Sequence, residues 1–202
     1  MAKIFGENLT KREILKRVGD ISSIAGAREF EYTSGAAKGM RCIEIKNGSG
    51  LSFTVLPDRN MDISYASYKG VPLSFISKVG EKAPWFYDEK DFLRNFTAGL
   101  ITTCGLTYCG APCDDSGEKL GLHGRIANSP SYDVCVSNEW VGDDYVITVK
   151  GTSRQATVFG ENLTNTRTIT VKLGENTIKM ENVVENNGFQ KSPLMIINHI
   201  NL

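Results

Sequence analysis

Three stretches of this chain alternate apolar and polar residues with a period of two, and that pattern narrows what it can fold into more than any other feature. Ile43 and Ile45 alternate with Glu44 and Lys46, Asn47-Gly48 supplies a turn, and Leu51, Phe53 and Val55 then alternate with Ser52 and Thr54. Side chains on a strand point to opposite faces in turn, so this is the signature of a hairpin with one face buried. The pattern returns in Tyr145, Ile147 and Val149, and again in Ile169, Val171 and Leu173. Gly174-Glu175-Asn176 turns the chain before Ile178 and Met180. Long antiparallel strands joined by such turns predict an all-β chain built as a β-sandwich. With 202 residues and no linker or shift in composition, residues 1–202 are expected to form a single sandwich domain.

Two regions break the pattern. Near the N-terminus, Thr10 and Glu13 have the spacing of a capping box. Ile14, Leu15 and Val18 give one apolar face, and Gly19 is a stop, so a short helix is expected. Between Pro84 and Phe96, Asp88 is positioned to cap a second short helix carrying Phe92, Leu93 and Phe96. From there to Pro130 the chain is rich in Gly, Cys, Pro and Asp with little periodicity, and long irregular stretches of this kind are more often functional than idle.

Lys+Arg and Asp+Glu both total 23, so no net field draws in nucleic acid or an anionic membrane. Neither a signal-like leader nor a membrane-length apolar run is present. A cytoplasmic protein is therefore expected, with its five cysteines (Cys42, Cys104, Cys109, Cys113, Cys135) reduced. The chain lacks a Walker loop, a dinucleotide fingerprint, a nucleophile elbow and a zinc-protease helix, so no cofactor is expected. Cys104, Cys109 and Cys113 are too loosely spaced for a structural zinc site, and no metal is expected either.

The two histidines remain as candidates for chemistry. His123 lies between Gly121 and Gly124, which leave room for a ligand. Arg125, two residues on, would share its side of an extended segment. His199 interrupts an apolar run, Leu194 to Ile197, in company with Asn198 and Asn201. Polar groups there are costly unless hydrogen-bonded or facing a cleft. A satisfied core histidine is the alternative. Arg59 and Asp62, in Pro57-Asp58-Arg59-Asn60-Met61-Asp62, either pair to fix a turn or rim a polar pocket.

Leu122-His123-Gly124 resembles the Leu-His-Gly segment of aldose 1-epimerases, and Ile197 to Leu202 resembles their Asn-His strand. The match is closer to a bacterial branch of that superfamily, the DUF4432 type, carried by Asp58–Ile63, Gly99–Leu106 and Leu120–Asn128 and spanning most of the chain from about Met40. The resemblance implies a galactose mutarotase-like β-supersandwich that binds a monosaccharide or sugar derivative in a shallow cleft. His199 would be the acid on the ring oxygen. His123, Arg125, Asn198, Arg59 and Asp62 would serve as substrate-binding residues, with Arg59 a rival to Arg125 for the family's sugar-binding arginine. In that family the carboxylate base lies well downstream of the Asn-His strand, whereas this chain stops at Leu202. The expectation is a truncated domain that self-associates or lacks a C-terminal segment, with Glu181 or Glu185 as possible substitutes for the base. A non-catalytic sugar-binding or sugar-sensing module is the alternative function.

Overall fold

The computed structural model describes residues 1–202, apart from the side chains of Glu89 and Lys90. A small hairpin, β1 (Ala2–Ile4) and β2 (Glu7–Leu9), leads into α1 (Lys11–Arg17). The expected capping box is formed: Thr10 Oγ1 accepts the Glu13 amide, and the Glu13 carboxylate accepts the Thr10 amide at 2.8 Å. The helix ends at Val18, one residue before the expected stop, and buries Ile14 alone. Leu15 is 41% exposed, because a helix of this length turns only one narrow stripe toward the sheet.

Six strands follow: β3 (Ala25–Glu31), β4 (Arg41–Asn47), β5 (Leu51–Leu56), β6 (Asp62–Tyr68), β7 (Val71–Pro72) and β8 (Ile101–Leu106). A second hairpin, β9 (Cys113–Asp115) and β10 (Glu118–Leu120), precedes the long strands β11 (Tyr132–Val141), β12 (Asp144–Ala156), β13 (Asn162–Lys172) and β14 (Lys179–Asn186). The last strand is β15 (Met195–Ile200). Seven strands form one sheet in the order β15-β8-β6-β5-β4-β3, with β7 attached to β6; β11 to β14 form a second, antiparallel meander. The expected Asn47-Gly48 hairpin is β4–β5. Gly48 has φ +73°, and a Cβ there would lie 2.6 Å from Ile4 Cδ1, so a side chain is excluded twice over.

The two sheets share a core, and its chemistry changes along its length. At one end Ile43, Ile45, Phe53, Val55 and Ile63 meet Tyr145, Ile147, Val149, Ile169 and Val171, all nearly inaccessible. Each such side chain stabilises by roughly 1.5–3 kcal/mol on burial. Toward β8 the same inner faces of β12 and β13 become Ser153, Gln155, Asn165 and Arg167, which are buried too. Polar groups in that position require partners, and each of these residues makes at least one hydrogen bond. Gln155 Oε1 accepts the Leu106 amide at 2.8 Å, and Asn165 Nδ2 donates to Asn60 Oδ1 at 3.1 Å.

The centre of this polar half is Arg167, fully buried, whose Nη1 reaches Asp62 Oδ1 at 2.6 Å. Its Nη2 donates to Thr103 Oγ1 at 2.6 Å and its Nε to Asn182 Oδ1 at 2.8 Å. Thr103 in turn donates its amide and hydroxyl to Asp62 at 2.8 and 2.6 Å. Burial pushes the Asp62 carboxyl up, while Arg167 and Thr103 oppose that shift. Residues from β6, β8, β13 and β14 thus meet in one network.

Removing one member of a buried pair strands the other charge, at about 3–5 kcal/mol. Arg167→Met is expected to lower the urea-denaturation stability by that amount. Arg167→Met combined with Asp62→Asn should cost clearly less than the sum of the two single changes.

Candidate functional site

Strand β15 pairs only with β8, and their register decides what each side chain can reach. His199 lies opposite Thr102, Ile197 opposite Cys104, and Asn198 opposite Thr103. Directly opposed residues share a face. Thr103 points into the sandwich toward Arg167, so Thr102, Cys104, Ile197 and His199 are on the outer face of the seven-stranded sheet.

The segment after β8 folds back over that outer face. The Gly105 amide donates to the His123 carbonyl at 3.0 Å, the Arg125 amide to the Gly105 carbonyl at 3.0 Å, and the His123 amide to the Gly110 carbonyl at 2.9 Å. His123 and Gly124 have φ of +60° and +73°. A Cβ at Gly124 would lie 2.5 Å from the carbonyl oxygens of both Gly105 and Tyr108. Only glycine permits this close approach, and the approach holds His123 against the end of β8.

A third segment supplies the wall. It is not the expected helix: two 3₁₀ segments, Pro84–Phe86 and Glu89–Arg94, stand there, the second interrupted at Asp91 (φ −140°, ψ 58°), and Leu93 is 64% exposed. Arg59 fixes this segment, donating to the Lys82 carbonyl at 2.8 Å and the Asn95 carbonyl at 3.0 Å. Asn95 Nδ2 also donates to Asn128 Oδ1 at 2.6 Å, and the Tyr87 hydroxyl to the Gly124 carbonyl at 3.2 Å.

Four rings meet as a result. The centroids of His123 and His199 are 6.2 Å apart, Phe92 and His123 5.6 Å, Phe96 and His199 5.6 Å, and Phe92 and Phe96 5.4 Å. Both histidines are partly exposed, while Phe92 is buried. Burial, and then the neighbouring His199, hold the His123 imidazole below the ordinary histidine range. Nδ1 of His199 is buried and has no hydrogen-bond partner among the described residues. On the other side of His123, its Nδ1 lies 3.9 Å from Cys109 Sγ. The donor atoms of Cys104, Cys109 and His123 all fall within 4.8 Å of one another.

The remaining sequence candidates are placed differently. Asn198 is exposed and, by alternation, points to the sheet face opposite His199. Arg125 Nη2 lies 3.8 Å from Glu118 Oε1. The backbone before Arg125 is a tight turn and not extended, so the same-side relation expected between Arg125 and His123 does not apply. Arg59 and Asp62 do not pair directly and are both buried, one holding the aromatic wall and the other holding Arg167. Glu181 is ion-paired with Lys179 at 2.9 Å on β14. Among the described residues, no carboxylate hydrogen-bonds to either imidazole.

Sequence reasoning placed Phe92 and Phe96 on one helical side but did not connect them with the histidines. It also left Cys104 and Cys109 without a partner. The spacing of four between the two phenylalanines was the available signal for the wall. For the thiols there was none, because their partner His123 is 14 residues beyond Cys109.

The sequence model of a family described as "Domain of unknown function (DUF4432)" matches residues 37–202. Among solved structures, the chain is similar to a candidate aldose 1-epimerase from Klebsiella pneumoniae subsp. pneumoniae MGH 78578, with TM-score 0.79 and 20% identity over 93% of this chain and 49% of that one. It is also similar to a galactose mutarotase-like protein from Clostridium acetobutylicum (TM-score 0.57, 18% identity, 88% of this chain and 54% of that one). A third similar structure is galactose 1-epimerase from Lactobacillus acidophilus NCFM (TM-score 0.55, 15% identity, 81% and 49%). These likenesses show the galactose mutarotase-like fold, and the chain spans about half the length of each structure. No curated protein matches the chain. Among the described residues, no helix is long and apolar enough to cross a membrane.

Because His199 depresses the protonation of His123, His199→Gln should move the His123 titration midpoint upward. The midpoint is read from imidazole C–H resonances in reduced, chelator-treated protein; an unchanged midpoint would mean that the two rings do not interact.

Proposed function

The chain belongs to the DUF4432 family, and from that premise we propose that the outer face at these four rings forms a shallow hollow that binds a monosaccharide and takes part in aldose 1-epimerase-like interconversion of sugar anomers. The observation that carries this reading is the convergence of His123 and His199, from distant parts of the chain, with a buried and unpartnered nitrogen on His199. A buried polar atom without a partner is rare in a finished structure and is satisfied when a ligand supplies the missing hydrogen bond.

In this reading His199 delivers a proton to the ring oxygen of the bound sugar. His123 holds a neighbouring hydroxyl, and because its imidazole is kept neutral it can accept a hydrogen bond as well as donate one. Phe96, partly exposed, offers apolar surface suited to the C–H face of a pyranose, and the buried Phe92 stacks behind it. Protonation weakens the bond from the anomeric carbon to the ring oxygen while the anomeric hydroxyl loses its proton to a base. The open-chain aldehyde rotates about C1–C2, and reclosure gives either anomer. A carboxylate from outside the contacts of the histidine pair completes this exchange as general base. Arg59 and Asp62 act beneath the hollow as supports, and Arg125 stands at its edge. The resemblance to solved epimerases supports the fold; the acid role and the sugar are our assignment.

The absence of a carboxylate hydrogen bond to either imidazole among the described residues favours a second reading, a sugar-binding module without turnover. Relaxation of freshly dissolved α-D-galactose and α-D-glucose toward anomeric equilibrium, followed by proton NMR, separates the two. The epimerase reading expects acceleration over buffer, with His199→Ala losing roughly 10²–10⁴-fold, the usual contribution of general acid–base groups. Saturation transfer to the sugar without acceleration would establish the module, and neither effect with any hexose tested would remove both readings.

A further inference from the structure

The loop bearing Cys109 and His123 brings both against Cys104 of β8, and the sugar reading uses His123 but neither thiol. Cys104 comes from β8 and is 1% exposed. Cys109 lies three residues beyond the end of β8 at Leu106 and is partly exposed, and His123 returns its ring from beyond β10. The two sulfurs and a ring nitrogen of His123 all lie within 4.8 Å of one another, with Cys109 Sγ and His123 Nδ1 3.9 Å apart. Tetrahedral coordination with metal–sulfur distances of about 2.3 Å and metal–nitrogen distances of about 2.0–2.1 Å requires donors roughly 3.5–3.8 Å apart. The observed cluster therefore needs a contraction of at most about 1.3 Å, and Cys109, outside regular secondary structure, is the member able to move.

We propose that Cys104, Cys109 and Nδ1 of His123 form a binding site for a thiophilic divalent cation of the zinc class. Two thiolates and an imidazole select such an ion over magnesium or calcium, which take oxygen donors. Each thiol loses its proton to solvent as the ion binds. Without a cation this loss is unfavourable: burial and the neighbouring Cys109 push the Cys104 thiol up to about 12, and burial raises Cys109 as well. Three protein donors leave one tetrahedral position for water or a small ligand, as catalytic zinc sites do and closed structural sites do not. Coordination through Nδ1 would also fix the His123 tautomer and leave Nε2 as the nitrogen available to the hollow. Cys42, Cys113 and Cys135 lie outside the cluster.

Cobalt(II) serves as the probe, because thiolate ligation gives it a near-ultraviolet charge-transfer band and tetrahedral geometry gives it visible d–d bands. The reduced full chain is expected to take up one equivalent with both features, and one equivalent of zinc should bleach them. Cys109→Ser should lose much of the charge-transfer intensity, and His123→Ala should weaken binding about tenfold or more. Cys113→Ser and Cys135→Ser should leave the spectrum unchanged. Since Cys104 is buried, Cys104→Ser is interpreted only where circular dichroism shows a folded protein, and Cys109→Ser carries the test independently. A spectrum lacking thiolate bands, or bands that survive Cys109→Ser, would overturn the site. So would a Cys104–Cys109 disulfide found by mass spectrometry in protein kept under reductant. No sugar enters this titration, so its outcome is separate from that of the anomer-exchange assay.

Discussion

The contact on which this structure depends is the buried guanidinium of Arg167 against Asp62 and Thr103. A sandwich held by apolar packing alone would fix the spacing of its sheets but would leave their lateral alignment loosely specified. The ion pair and its hydrogen bonds have direction, so they select one alignment of β13 against β6 and β8. Isolated charges of this kind are expensive to bury, and the cost is offset because Nε, Nη1 and Nη2 of the guanidinium each find an acceptor. Strand β8 is thereby fixed on its inner face, and the groups proposed above gather around its outer face: Cys104 on the strand itself, Cys109 and His123 on the loop that follows it, and His199 on the neighbouring β15.

That division explains why Asp62 and Arg59 attract attention in the sequence. Charged residues directly after a strand suggest a polar rim, yet in the folded chain both point inward and act on the backbone. Arg59 holds two carbonyls of the segment carrying Phe92 and Phe96. Its effect on the hollow is positional: it sets where the aromatic wall stands. Asp62 sets where β8 stands.

The sandwich itself was legible because one-sided burial imposes a period of two, and β4, β5, β12 and β13 all show it. Strand β8 was hidden for the converse reason. Ile101–Leu106 is covered on both faces by the second sheet and by the folded-back loop, so Ile-Thr-Thr-Cys-Gly-Leu carries no alternation to read. The two histidines stood out as rare residues in unusual settings, and the resemblance to aldose 1-epimerases tied them together. Their phenylalanine and cysteine neighbours come from separate segments, and contacts of that kind leave no local pattern in a sequence. The side-by-side placement of Asn198 and His199 suggested a joint role, whereas strand geometry sends them to opposite faces.

That last point gives the C-terminal strand an unusual sensitivity. Slipping β15 by a single residue against β8 would exchange parity, turning the imidazole to the opposite face and presenting a carboxamide to His123 in its place. Asn201 guards against this. Its amide donates to the Leu100 carbonyl at 3.1 Å, its side chain donates to the Gly99 carbonyl at 2.9 Å, and its own carbonyl accepts the Phe75 amide at 3.0 Å. A residue that touches neither ring thus works as the detent that decides which of two adjacent side chains joins the ring cluster.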